Sequence, residues 1–311
     1  MKVCFCGLGS IGKRHLRNLT AVACGRNLPL EIYALRKTGA ALDTETEALL
    51  AGQLFGEEEL GSNYDIAFIT NPTSLHYAAI RTMAGRAKHL FIEKPLFDGG
   101  DYRLEALHLN PQGVYYVAGP LRFSPVIQKL GKILPGEPVY SVRVICSSYL
   151  PDWRPGADYR LVYSARKELG GGVALDLIHE WDYLVALFGF PQTVSSVLGR
   201  YSRLEISSED LAVYLARYPD KAVEVHLDYF GRVPRREIEI FTENGTITGN
   251  LLSNTLSFTD GREQLRFEEE ENESYLREMR FFIDHICDRI PYSNLRRCQA
   301  ILNIALGKEV P

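Results

Sequence analysis

A short apolar run, Lys2-Val3-Cys4-Phe5-Cys6, feeds directly into Gly7-Leu8-Gly9-Ser10-Ile11-Gly12. This G-x-G-x-x-G spacing constrains the fold more than any other feature of the chain. It predicts a strand, a tight glycine turn and a helix in immediate succession. The first glycine makes the turn, the second lets main-chain N–H groups approach a pyrophosphate, and the third lets helix pack on strand. The helix N-terminus then faces the phosphates with the positive end of its dipole. A dinucleotide site is expected here, carried by Gly7, Gly9, Ser10, Ile11 and Gly12.

Glu31-Ile32-Tyr33-Ala34-Leu35 reads as the second strand. NAD sites usually end this strand on an Asp or Glu that holds the ribose 2′-hydroxyl. This chain has Arg36-Lys37-Thr38 instead. Two cations suit a 2′-phosphate, and arginine can grip one bidentately. NADP(H) is therefore the favoured cofactor, with NAD(H) the alternative.

At 311 residues the chain can form two domains with a large core. Its net charge of −4 lacks the broad basic field of a nucleic-acid binder. No apolar run approaches the roughly 20 residues of a membrane span. The opening residues lack the charged-then-apolar layout of a secretory leader, so a cytoplasmic protein is expected. The six cysteines are scattered without a C-x-x-C pair and read as reduced packing groups, so no metal site is expected.

Residues 1 to about 120 alternate strand and helix signals, the pattern of a parallel sheet with crossover helices. Asp65–Thr70, His89–Ile92 and Val114–Ala118 read as strands, with a helix from about Leu75 to Ala84. Ligands of such sheets bind beyond the carboxyl ends of the strands. The turns at Gly7, Asn71-Pro72 and Glu93-Lys94-Pro95 all fall there. From 121 to 311 the texture is β-rich. Tyr140–Ile145, Val194–Leu198, Leu211–Tyr218 and Ala222–Tyr229 alternate apolar and polar residues, which predicts a sheet with one covered face. Glu237–Thr242 and Gly245–Ser253 read as a hairpin, and helices are expected from Glu273 and near Leu295–Leu306.

Three groups of residues could carry chemistry. Lys94 stands in a turn rigidified by Pro95, where a lysine can donate to a substrate oxygen. Asp176 and His179 follow Gly170-Gly171-Gly172. A helix starting after the glycines would put the two on one face, the carboxylate orienting the imidazole. Asp182 stands equally far on the other side of His179 and is an alternative partner. Between them, Tyr149–Arg160 and Tyr163-Ser164 form a loop dense in aromatic and charged groups, suited to a hydroxylated ligand through Trp153, Arg154 and Tyr163.

Together GLGSIGKRH (Gly7–His15), TNPTSLH (Thr70–His76), EKP (Glu93–Pro95), LRFSP (Leu121–Pro125) and the Gly170–His179 stretch resemble the Gfo/Idh/MocA family of NAD(P)-dependent sugar oxidoreductases. The resemblance implies an α/β chain: an N-terminal Rossmann domain over 1–120, then an α/β domain over 121–311 with a large, mostly antiparallel open sheet. That sheet would pair copies into a homodimer or homotetramer. The resemblance also implies that Lys94, Asp176 and His179 carry the chemistry, with His179 taking the hydroxyl proton and Lys94 polarising the oxygen. Thr70, Asn71, Pro72, His76, Glu93 and Lys94 would line the cofactor together with Arg36 and Lys37. Arg122, Trp153, Arg154 and Tyr163 would join the catalytic residues around a sugar or sugar nucleotide. Two positions depart from the family's pattern. Only two residues separate Asp176 from His179 where many members have three, and Pro120 replaces an Asn. The LPDWRPGADYR and YSARKELGGG segments resemble a subgroup of bacterial surface-sugar pathways. Two rival readings are a non-catalytic dinucleotide sensor and an enzyme that exchanges oxidation state between two sugars on a tightly held cofactor.

Overall fold

A computed structural model of the chain describes residues 1–308. In chain order the elements begin with β1 (Lys2–Cys6), α1 (Ser10–Cys24), β2 (Glu31–Leu35), α2 (Thr44–Ala48), β3 (Gly52–Leu54), β4 (Tyr64–Ile69), α3 (His76–Ala84), β5 (Ala87–Ile92) and β6 (Val114–Val117). They continue with α4 (Pro125–Ile133), β7 (Val139–Tyr149), α5 (Val173–Asp176), α6 (His179–Phe188), β8 (Thr193–Gly199), β9 (Leu211–Arg217) and β10 (Ala222–Asp228). Then come β11 (Phe230–Thr242), β12 (Gly245–Asn250), β13 (Thr255–Phe258), β14 (Leu265–Arg266), α7 (Glu273–Cys287), β15 (Tyr292–Ser293) and α8 (Leu295–Ala305). Among the described residues no helix is long and apolar enough to cross a membrane.

The chain divides into two compact units. The first holds Met1–Ala118 and Tyr275–Gln299. Its seven strands run in the order β15-β6-β5-β4-β1-β2-β3, and every pairing is parallel. The order reverses at β1, so the glycine turn that follows it lies at the switch point where such sheets bind ligands. Phe5 stacks on Phe68 at 4.3 Å between ring centroids, and Phe68 stacks on Phe91 at 5.1 Å. The 275–299 stretch differs from the sequence expectation, which assigned everything beyond 121 to the second domain. Its helix returns because it completes this core: Phe282 meets Phe91 edge-on at 5.2 Å, and the buried Glu278 accepts from the Tyr116 hydroxyl at 2.9 Å. Asn294 then bonds the main chain of Val117 in both directions, at 2.8 and 2.9 Å.

The second unit holds Gly119–Ser274 and the chain from Ala300. Its eight strands run β14-β13-β12-β11-β7-β10-β9-β8; only β7 and β10 pair in parallel. Period-2 alternation runs through the middle of the central strands. Val142 and Val144 of β7, Tyr214 of β9, Val223 and Val225 of β10, and Ile238 and Ile240 of β11 are all buried. Trp181 of α6 packs edge-on against Tyr214 at 5.3 Å. On the outer face, Tyr140, Val197 and Leu215 are 57%, 53% and 55% exposed.

Candidate functional site

In the first unit the glycine turn is shaped by close backbone approach. Gly7 has φ +98°, and a Cβ there would lie 2.9 Å from the Asn71 Cα. A Cβ at Gly12 would lie 2.7 Å from the Gly7 carbonyl oxygen, which already accepts from the Thr70 hydroxyl at 2.6 Å. Gly9 is the opposite case, since a Cβ there would meet nothing within 4 Å. Gly9 also caps α1, and no side chain bonds the first-turn N–H groups of this 15-residue helix. Beside it, the Asn71 Oδ1 is buried with no hydrogen-bond partner among the described residues. Open space at the positive end of a helix, whose first-turn N–H groups lack intrahelical partners, suits a pyrophosphate. These residues fit a nicotinamide dinucleotide. At the end of β2, Arg36 donates to Gln53 Oε1 at 2.5 Å and to the Ala40 carbonyl, and its own N–H bonds Leu54 O at 2.8 Å. Lys37 is exposed in the same loop.

The turn after β5 lies at the same end of the sheet. Glu93 is buried and accepts the Lys94 N–H at 3.1 Å through Oε2, while its Oε1 meets His15 Nε2. Burial alone would raise the Glu93 pKa, but the His15 hydrogen bond and the positive charge of Lys94 outweigh it and hold the carboxyl below its usual value. His76, also buried, faces Pro95 O through Nδ1 and Asn71 O through Nε2, each at 3.0 Å. Burial lowers its pKa. His76 thus lies between the Asn71-Pro72 turn and the Lys94 turn, and in its neutral form its single N–H bonds one of these two carbonyls.

The second unit carries its own cleft, about 310 Å³ in volume. Asp176, His179, Ser148 and Trp153 line it together with Arg235 and Arg236. Asp176 Oδ2 accepts from the Tyr229 hydroxyl at 2.7 Å. Tyr229 is fully buried, and Trp153 stands edge-on to its ring at 5.2 Å while donating Nε1–H to Ser148 Oγ at 2.9 Å. Burial and the Asp176 charge push the Tyr229 hydroxyl pKa well up, so Tyr229 stays a donor. Glu209 packs its carboxyl against Gly172, where a Cβ would lie 2.2 Å from Oε1. Burial, with the nearby Asp176 charge adding to it, raises the Glu209 pKa against the main-chain donors that lower it. Arg236, which also lines the cleft, donates to the buried Glu180 at 2.7 and 3.3 Å.

The expected continuous helix through Asp176 and His179 is not what forms. α5 ends at Asp176, Leu177 takes φ −99° and ψ 24°, and α6 starts at His179. No glycine or proline marks the break. Tertiary anchors on either side make it, Asp176 on Tyr229 and Glu180 on Arg236. Both residues nonetheless reach one cleft. Asp182, the alternative partner for His179, forms an ion pair with Arg122 at 2.8 Å. Arg122 was expected at the substrate; its guanidinium sits in this largely buried pair. Tyr163 places its hydroxyl on Gly170 O at 2.6 Å, and Arg154 is exposed in its loop. Tyr229, Glu209, Arg235 and Arg236 were not foreseen. Arg235 and Arg236 carry a readable signal, paired cations beside Pro234 in a β run, but Tyr229 and Glu209 reach Asp176 only through the fold.

Comparison with known proteins follows the same division. The GFO/IDH/MocA oxidoreductase model, described as an NAD-binding Rossmann fold, matches residues 1–105, and the GFO/IDH/MocA C-terminal domain model matches residues 138–248. An uncharacterized oxidoreductase of Bacillus subtilis (strain 168), YrbE, is 25% identical over 229 residues, which are 70% of this chain and 64% of that protein. Levoglucosan dehydrogenase, solved with NADH and levoglucosan, superposes with a TM-score of 0.85 at 18% identity, covering 100% of this chain and 99% of that one. UDP-N-acetylglucosamine 3-dehydrogenase GnnA from Acidithiobacillus ferrooxidans superposes with a TM-score of 0.74 at 21% identity, covering 99% and 97%. At these identities the two structures establish a shared fold.

Proposed function

Because the chain belongs to the GFO/IDH/MocA oxidoreductase family, we propose that it transfers hydride between a nicotinamide dinucleotide, NADPH in preference to NADH, and a carbinol or ketone carbon of a sugar or sugar nucleotide. One observation carries the reading. A lysine turn is braced by Glu93 and His76 at the same end of the parallel sheet as the open helix terminus beside Gly9. The sugar class draws support from the levoglucosan and UDP-sugar dehydrogenases that share the fold.

When bound, the nicotinamide supplies or accepts the hydride. The Lys94 ammonium donates a hydrogen bond to the reacting oxygen and stabilises the charge that develops there. In the oxidative direction the neutral His179 imidazole takes the hydroxyl proton as the carbonyl forms; in reduction it returns that proton. Asp176, held by Tyr229, places a carboxylate in the His179 cleft. Trp153 offers a flat apolar wall to a sugar ring. We assign self-association to the outer face of the second sheet, where Tyr140, Val197 and Leu215 are exposed.

Consumption of NADPH over a panel of oxidised sugars and sugar nucleotides tests the activity; cofactor that binds and is never oxidised removes it. Two substitutions test its parts. Arg36→Asp places a carboxylate where the 2′-phosphate would sit, and the ratio of NADH to NADPH affinity should rise at least about tenfold. An unchanged ratio sinks the NADPH preference. Tyr229→Phe removes a hydrogen bond to a carboxylate worth about 2 kcal/mol, so kcat/KM should fall roughly 30-fold with cofactor affinity intact. Wild-type kcat/KM in that variant takes the Tyr229 hydrogen bond out of the reaction.

A further inference from the structure

The motif GLGSIGKRH ends on a histidine that the dinucleotide site does not need. His15 lies in the second turn of α1, fully buried, with its ring 4.7 Å from that of Phe91 and 6.1 Å from that of Tyr275. Its Nε2 meets Glu93 Oε1, and its Nδ1 is buried with no hydrogen-bond partner among the described residues. A buried imidazole with one nitrogen unsatisfied is costly, so the contact it does make is the one that holds it there. That contact leads to the lysine turn. The other oxygen of the same carboxylate, Glu93 Oε2, accepts the Lys94 N–H at 3.1 Å. The chain of contacts therefore runs from the helix whose N-terminus faces the phosphates, through His15 and Glu93, to the main chain of Lys94. A carboxylate this deeply buried keeps one geometry only if both oxygens have donors.

We propose that His15 is a positioning residue for Lys94: by fixing the Glu93 carboxylate it sets the main chain of the catalytic turn, and it does so from the cofactor helix. His76 holds the turn from the other side, through the Pro95 carbonyl. The two histidines therefore divide the task, one on each side of the Lys94 backbone. The proposal rests on the catalytic role given to Lys94, and its test includes a readout that does not depend on that role.

The test compares His15→Gln, which keeps a donor near the position of Nε2, with His15→Phe, which keeps a ring and removes the donor. Amide hydrogen exchange is followed in the holoprotein with NADPH bound. In His15→Phe, exchange over residues 93–98 should rise at least tenfold while β1 and β4 stay as in wild type; His15→Gln should restore most of the protection. On any sugar that turns over, kcat should fall at least tenfold in His15→Phe with the KM for NADPH within threefold, and His15→Gln should recover it. If His15→Phe does not fold, Glu93→Gln, with one carbonyl oxygen for two donors, should show the same local rise. Unchanged exchange at 93–98, a rise spread evenly over the whole unit, or a glutamine variant as damaged as the phenylalanine one overturns the proposal. If the exchange result holds and no variant or wild type turns over any sugar, it is the reading of function that fails.

Discussion

Lys94→Ala is expected to lower kcat roughly a thousandfold, the size of a lost hydrogen bond to the charge that develops on the reacting oxygen, while NADPH affinity stays within a few-fold of wild type. The separation follows from how the turn is held. Its anchors are main-chain atoms: the Lys94 N–H on Glu93 and the Pro95 carbonyl on His76. Truncating the lysine side chain leaves both anchors in place, together with the glycine turn and Asn71. The variant should therefore fold, bind cofactor and fail at chemistry. Single-turnover mixing of enzyme, NADPH and substrate reads the step directly. A kcat near that of wild type takes Lys94 out of the mechanism, and a parallel loss of NADPH binding makes it a cofactor contact instead.

Gly12→Val should abolish cofactor binding, with NADPH affinity down at least about a hundredfold. The added Cβ would stand 2.7 Å from the Gly7 carbonyl oxygen and 3.0 Å from the Thr70 hydroxyl, which bond each other at 2.6 Å. Neither atom has room to yield, because the Thr70 hydroxyl holds the Gly7 carbonyl in a turn where Gly7 takes φ +98°. Helix and strand must separate, and the Gly9 cradle opens with them. Overpacking of this kind costs about 2 kcal/mol, which corresponds to a melting temperature lower by roughly 5 °C. Fluorescence titration with NADPH and a thermal melt measure the two effects. Binding as tight as wild type in a folded variant contradicts the assignment of this turn to the pyrophosphate.

How far the sequence was legible depends on whether a feature is local. The glycine spacing, the strand Glu31–Leu35 and the helix from about Leu75 to Ala84 are written in adjacent residues, and the fold has them there. The alternation along β7, β9 and β10 announced a sheet with one covered face for the same reason. Features decided by distant partners were not legible. Nothing around Glu273 says that α7 will close the core of the first unit, because that depends on Phe282 meeting Phe91. The break between Asp176 and His179 has no local signal, because the carboxylates of Asp176 and Glu180 are claimed by Tyr229 and Arg236 far along the chain. The same holds for the site. Its motif residues could be read, but the groups that hold them, His15 for Glu93 and Tyr229 for Asp176, show their work only once the chain is folded.

The most direct test of the central claim follows a labelled hydride. NADPH carrying deuterium at nicotinamide C4 is incubated with the protein and a panel of keto-sugars and oxidised UDP-sugars, and the sugars are examined by mass spectrometry. A sugar product heavier by one deuterium at the reduced carbon is expected, formed by the wild type and not by Lys94→Ala. Bound NADPH that keeps its deuterium against the whole panel would contradict it and make the protein a dinucleotide sensor built on an oxidoreductase fold.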